Sequence, residues 1–134
     1  EIFEYELKRI KLILPAVQER IETLNDIKEQ IMFLLDEPFM VNNDDWLSVN
    51  SEEAQAYLAK IRSEFIDLEN FSLENIEKVM RNSIESLGIK TKVGFQAARV
   101  SITGTKISPP LFESIFALGR EGAIARLAQS IENL

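Results

Sequence analysis

Residues 50–88 read NSEEAQAYLAKIRSEFIDLENFSLENIEKVMRNSIESLG, and this stretch decides the fold. Ala54, Tyr57, Leu58, Ile61, Phe65 and Leu68 recur at helical spacing, which puts them on one stripe of an α-helix. Asn50 and Glu53 stand three apart, the separation of a capping box with Asn in place of Ser or Thr, and predict the helix start there. Ser72 predicts a second start, because its hydroxyl can accept from an otherwise orphaned backbone N–H. Leu73, Ile76, Met80, Ile84 and Leu87 then form a second stripe, and Gly88 is placed to end it in the left-handed conformation. Lys60 with Glu64, and Glu74 with Lys78, are i,i+4 pairs on the solvated faces.

The same periodicity extends in both directions. Phe3, Leu7, Ile10 and Leu14 predict an amphipathic helix that Pro15 ends or kinks, with Val17, Ile21 and Leu24 continuing its apolar face. Thr23 is a cap for a further helix carrying Leu24, Ile27, Ile31 and Leu34. Residues 36–49 contain Pro38 and the polar run Asn42-Asn43-Asp44-Asp45 and read as a loop, with Trp46 and Leu47 tucked back on the core. Beyond Gly88 the run Val93 to Ile102 reads as a short helix, although Val100 and Ile102 also suit a strand. Gly104 stops it and Thr105 to Ser108 form a loop. Ser108-Pro109 predicts a helix start, a hydroxyl cap followed by proline at the first helical position, with Leu111, Phe112, Ile115 and Phe116 on the apolar side as far as Gly119. A last helix carries Ile124, Leu127, Ala128 and Ile131. No segment alternates with period two for long, so the expected class is all-α. A boundary near Gly88 divides the chain into residues 1–88 and 89–134. The second part is small and is expected to pack on the first.

Composition narrows the chemistry. The 134 residues include no cysteine and no histidine, which excludes disulfides, thiolate or imidazole metal sites, and Ser-His-Asp or Cys-His catalysis. The longest apolar run, Ile31 to Leu35, is too short to span a membrane, and no basic and apolar leader opens the chain. The chain begins with Glu1 rather than Met, so it is expected to be a fragment. Net charge is −7, unevenly placed: residues 1–87 carry 9 basic and 19 acidic side chains, residues 88–134 carry 6 and 3. An acidic chain does not hold nucleic acid by neutralising many phosphates, but a few arginines can still make a local contact.

Few residues remain as candidates. Asp44-Asp45 and Glu52-Glu53 are carboxylate pairs without metal-loop spacing and read as solvated loop or helix-start residues. Thr103-Gly104-Thr105-Lys106 lacks the glycines of a phosphate-binding loop. Arg99 has no acid within ten residues on either side, which leaves it to meet a distant carboxylate, a phosphate or a base edge. Ser108-Pro109-Pro110-Leu111 offers either a plain helix cap or a rigid platform for an unstacked base.

The stretches Ala98-Arg99-Val100-Ser101-Ile102-Thr103-Gly104, Ser108-Pro109-Pro110-Leu111-Phe112-Glu113, Leu118-Gly119-Arg120-Glu121 and Ala125-Arg126-Leu127 together resemble the C-terminal end of bacterial glutamyl-tRNA synthetases. The likeness is dense over residues 92–131 and collinear earlier, where Glu19-Arg20-Ile21-Glu22-Thr23-Leu24 is similar to that family's Arg-x-x-Thr-Leu segment. Pro110, Ser101 and the Gln96-Ala97-Ala98 run depart from its usual pattern. The resemblance implies two packed helical subdomains forming an α-helix cage that binds the anticodon. Arg99 and the turn Ser108, Pro109, Pro110 and Leu111 would line the pocket for the anticodon bases, and Arg20 would read the last of them. It also implies a parent ligase that uses ATP and magnesium to join glutamate to its tRNA. The catalytic domain would lie N-terminal to this chain, which itself would be inactive and hold no cofactor. The expected partners are the anticodon loop of glutamate tRNA and that catalytic domain, in a monomeric cytoplasmic protein with no membrane association. The cage of a class I lysyl enzyme, and a helical protein-interaction domain without RNA binding, are the alternatives.

Overall fold

The computed structural model describes residues 2–18, 28, 30–36 and 39–132. Arg20, the Thr23 cap and the apolar positions Ile21, Leu24 and Ile27 lie outside the described residues. Among the described residues there are seven α-helices and no strand: α1 (Glu4–Val17), α2 (Asn43–Val49), α3 (Glu52–Asp67), α4 (Leu73–Leu87), α5 (Thr91–Thr103), α6 (Leu111–Leu118) and α7 (Arg120–Ser130). A 3₁₀ turn, Met32–Leu34, lies between α1 and α2.

The predicted stripes are buried along their middles, whereas Leu73 and Leu87 at the two ends of α4, and Phe3 and Leu7 at the start of the first stripe, are exposed. Tyr57, Leu58, Ile61 and Phe65 of α3 and Ile76 and Met80 of α4 are fully enclosed, and both helices join one core with α1, α5, α6 and α7. Tyr57 Oη donates to Met80 O at 2.9 Å, which ties α3 to α4 through the core. Ser72 Oγ accepts from Asn75 N at 3.2 Å, and Gly88 ends α4 at φ 65°. α5 packs against α2, α3, α4, α6 and α7. Gly94 allows that closeness, because a Cβ there would lie 2.5 Å from Ile84 Cδ1 and 3.0 Å from the Tyr57 ring.

Four local expectations are corrected. Pro15 does not end α1, which runs to Val17, where Ile13 and Val17 are fully buried on either side of the proline. Packing of that face outweighs the lost hydrogen bond. Residues 43–49 are helical rather than looped: Asn42 Oδ1 accepts from Asp45 N at 3.0 Å, and about two turns are enough to bury Val49. The cap of α3 is Ser51, accepting from Ala54 N at 3.0 Å, while Asn50 closes α2 by donating its backbone N–H to Trp46 O. The start of α6 is two residues later than expected. Pro110 disfavours a helical Pro109 before it, so Ser108 cannot serve as the cap and the helix begins at Leu111. The carboxylate pairs Asp44-Asp45 and Glu52-Glu53 fall in the first turns of α2 and α3, where negative charge meets the positive helix end.

α1 is fastened to the turn after it by charge. Arg9 Nη1 donates to Leu34 O and to Asp36 Oδ1, both at 2.8 Å, and the buried Glu6 accepts from Asp36 N at 2.6 Å. Burial acts to raise the Asp36 pKa, but hydrogen bonds from Arg9 and Tyr5 outweigh it and hold the carboxyl below its ordinary value.

Candidate nucleic-acid interface

The segment between α5 and α6 is built from short-range hydrogen bonds. Gly104 turns the chain out of α5 at φ 89°, and a Cβ there would lie 2.7 Å from Met40 O. Only glycine meets both demands at once. Asn42 N donates to Gly104 O at 2.7 Å and Lys106 N donates to Asp45 Oδ2 at 3.0 Å, so α2 holds the segment from one side. Arg99 holds it from α5: its Nη1 donates to Ser108 Oγ, and to Pro109 O at 2.9 Å. Ser114, fully buried on α6, donates from Oγ to Pro110 O at 2.8 Å.

The hydroxyls of the segment are turned inward. Ser108 Oγ donates to Pro109 O at 2.7 Å and Thr105 Oγ1 to Ile107 O at 2.6 Å. Thr103 Oγ1 lies 2.7 Å from Arg99 O and 3.0 Å from Thr105 O, so its proton also serves a main-chain carbonyl.

A cleft of about 190 Å³ opens beside this segment, lined on one side by Gln30, Met32, Phe33, Phe39 and Met40 and on the other by Thr103, Thr105, Ile107, Ser108 and Pro109. Met40 is 80% and Ile107 84% exposed, unusual for apolar side chains of that size and placed together at the rim. The volume is that of roughly six waters, enough for a flat heterocycle. Of the sequence-predicted residues, the structure brings Arg99, Ser108 and Pro109 together. Ser108 and Pro109 line the cleft, whereas Arg99 bonds to them from α5. Pro110 is half-buried at the head of α6 and Leu111 is buried beneath it.

Sequence reading missed Gln30, Met40 and Ile107. Ile107 carried a faint signal as a lone large apolar residue in an otherwise polar loop. Met40 and Gln30 carried none, since they come to the cleft from a distant part of the chain.

A larger groove of about 1080 Å³ runs between α1 and the α6–α7 turn and contains none of the predicted residues. Its arginines are engaged with main chain. Arg126, only 5% exposed, donates to Ile102 O at 2.7 Å and Leu35 O at 3.2 Å and lies 3.5 Å over the Phe39 ring. Burial, and then the Arg9 charge, lower its pKa to about 10, so it remains a cation at neutral pH. Arg120 donates to Phe65 O at 2.6 Å, and Arg9 to Leu34 O at 2.8 Å. Among the described residues no group of three or more carboxylates could hold a metal ion. No described helix is long and apolar enough to cross a membrane.

Residues 2–131 match a family model described as an anticodon binding domain. Among curated relatives, a glutamate–tRNA ligase of Arthrobacter sp. (strain FB24) is 34% identical over 122 residues, covering 84% of this chain and 23% of its own length. That of Saccharopolyspora erythraea is 34% identical over 126 residues, covering 92% of this chain and 25% of its own. The chain thus spans about a quarter of the length of the relatives it matches. A crystal structure of a glutamate tRNA ligase from Elizabethkingia meningosepticum CCUG26117, in complex with its amino acid, superposes with a TM-score of 0.80 at 20% identity. It covers 100% of this chain and 26% of its own, and at that identity speaks for the fold.

Proposed function

Because this chain belongs to the anticodon-binding domain family, we propose that it recognises the anticodon loop of glutamate tRNA as part of a glutamate–tRNA ligase. The observation that carries this reading is the pair of Arg99 hydrogen bonds to Ser108 and Pro109. They fix one wall of a base-sized cleft whose rim is apolar and exposed. A splayed base would insert between Met40 and Ile107 by van der Waals contact, with the proline-rich wall as its stop. Arg99 acts here chiefly as the residue that positions the wall, and Pro110 and Leu111 seat it on α6. Arg20 is assigned to the last anticodon base on the resemblance of its sequence segment.

The division into residues 1–88 and 89–134 is part of the same proposal. Gly88 supports it by closing α4 in the left-handed conformation, and the cleft draws its walls from both parts. The parent protein would activate glutamate with ATP and magnesium in a catalytic domain outside this chain, and would be a cytoplasmic monomer. The acidic surface of residues 1–87 would disfavour random RNA.

The test is a fluorescence-anisotropy titration of the chain with the glutamate tRNA anticodon stem-loop at low salt. A second stem-loop carries G for C at the last anticodon position, and Arg99→Ala is titrated in parallel. Preference for C, with binding weakened roughly tenfold or more by Arg99→Ala, is the expected result. Equal binding of both loops would replace a single-tRNA parent by one serving two tRNAs. Absence of binding to either loop at high micromolar protein would refute anticodon recognition by this chain, and unchanged binding by Arg99→Ala would remove Arg99 from it.

A further inference from the structure

Acidic side chains outnumber basic ones in this chain, yet residues 86–112, bounded by Glu85 and Glu113, contain no Asp or Glu and carry Lys90, Lys92, Arg99 and Lys106. That acid-free stretch spans α5 and the segment that walls the cleft. Lys92, Phe95 and Arg99 are spaced three and four apart on α5, so they share one face, with Lys92 about 10 Å along the axis from Arg99. Arg81 joins that face from α4. Its Cζ lies 5.8 Å from the Phe95 ring centre and 5.5 Å from that of Phe112, and the two rings meet edge to face at 5.6 Å. Arg81 Nε donates to Glu77 Oε2 at 2.7 Å, whereas neither terminal nitrogen has a hydrogen-bond partner among the described residues. The Arg81 side chain is 58% exposed. Two rings thus hold the charge in place while its terminal donors stay open to solvent. Lys92 is exposed and makes no hydrogen bond or ion pair among the described residues.

We propose that Arg81 and Lys92 bind two backbone phosphates of the RNA strand whose base enters the cleft. The inference rests on the anticodon-binding reading and deepens it by naming the surface along which the strand runs. The face leads by way of Arg99 to Ser108 and Pro109 on the cleft wall, so a backbone lying on it delivers its base to the rim. Arg81 offers a phosphate two N–H donors from one rigid plane, and Lys92 offers a compact point charge. Glu77 is the carboxylate bonded to Arg81, and both side chains are exposed. An exposed pair of this kind is weak, so Glu77 yields to a phosphate at little cost. Contacts to phosphate carry no base information; they set the register of the strand, and the cleft does the reading. Two such contacts on an acidic chain position RNA without gripping it at random.

The experiment titrates the full 134-residue chain over a series of salt concentrations with the glutamate tRNA anticodon stem-loop, and with the loop carrying G for C at the last anticodon position. Unaltered protein, Arg81→Gln, Arg81→Lys, Lys92→Gln and Lys11→Gln are compared, Lys11 being an exposed charge on α1 outside the proposed face. Arg81→Gln and Lys92→Gln are each expected to reduce the log–log salt slope by about 0.7, the value for one phosphate of a single strand. Each should weaken both loops by the same factor, roughly 3- to 10-fold at low salt, and leave the ratio between the loops unchanged. Arg81→Lys should keep the slope, and Lys11→Gln both slope and affinity. A slope unchanged in Arg81→Gln or in Lys92→Gln would overturn the proposal even if affinity fell, because the residue would then act through the fold. An equal drop in Lys11→Gln, or loss of the slope in Arg81→Lys as well, would also overturn it. Lys92→Gln disturbs no hydrogen bond or ion pair among the described residues, so its result decides even where Arg81→Gln fails to fold. Failure of unaltered protein to bind either loop would instead overturn the anticodon reading, and this proposal with it.

Discussion

Replacing Arg126 by alanine tests how the α5 end, the 3₁₀ turn and α7 are held together. Arg126 donates to Ile102 O at 2.7 Å and Leu35 O at 3.2 Å and stacks 3.5 Å over Phe39. Ile102 is in the last turn of α5, so its carbonyl has no partner within the helix. Hydrogen bonds to a charged donor contribute about 1.5 kcal/mol each at the lower end, net of desolvation, and the stacked guanidinium about 1 kcal/mol. Losing the buried stem adds a little more. Arg126→Ala is therefore expected to cost about 4 kcal/mol, a large share of the roughly 5–15 kcal/mol that holds a domain folded. Arg126→Met keeps most of the volume and is expected to cost less, about 3 kcal/mol. Urea unfolding followed by circular dichroism reads both. With a slope of about 2 kcal/mol per molar, the midpoint of the alanine variant falls by about 2 M at constant slope. A loss under about 1 kcal/mol would mean that the two carbonyls do not depend on the guanidinium. A methionine variant more stable than the parent would mean that burying the charge costs more than its bonds return.

Three further outcomes are expected. Gly104→Ala should destabilise by about 2–3 kcal/mol, since it meets both a positive φ and Met40 O. Gly88→Ala, at φ 65° with open space around it, should cost only about 1 kcal/mol, and equal losses at the two sites would discount the close approach. Burial raises the Tyr57 phenol above its ordinary 10.0. Its contribution is therefore complete below pH 10 and is lost as pH rises beyond, because the unfolded chain then releases a proton that the folded one keeps. Arg126, lowered from 12.5 to about 10, works in the opposite direction over that interval. Tyr57→Phe should consequently flatten or reverse the alkaline fall in urea midpoint, and tyrosinate absorbance of the folded chain should lag that of the unfolded one. Stem-loop affinity should fall only shallowly with salt, with a log–log slope of about −2 to −3, and a slope much steeper would point to a long phosphate-tracking contact.

The helices α3 and α4 were legible because their stripes are the surfaces that pack, so local periodicity and tertiary demand agree. α2 was not, because a seven-residue helix that buries only Val49 leaves a polar sequence, and its signature was a single asparagine cap. α7 was legible for its apolar positions, since Leu127 is fully buried and Ile124 and Ile131 pack against the core, but not for Ala123 and Arg126, which are buried beside them. The site was half legible. Arg99 stood out for lacking acidic neighbours, and Ser108-Pro109 for its stiffness, but their hydrogen bonds to one another bridge nine and ten positions and follow no repeating pattern. The opposite wall, from Gln30 to Met40, reaches the cleft only through the folded core.

The clasp between α2 and the segment after α5 carries a consequence for assembly. Asn42 meets Gly104, and Asp45 meets Lys106 across 61 positions of sequence. Closing so long a loop gives up chain entropy before any contact returns it. The cleft should therefore be among the last features to mature, after α3 and α4 have joined through local contacts. A peptide covering residues 89–134 alone would carry Arg99, Ser108 and Pro109 yet lack half of what shapes them. Transplanting the recognition surface into another scaffold would mean moving the far wall along with the near one.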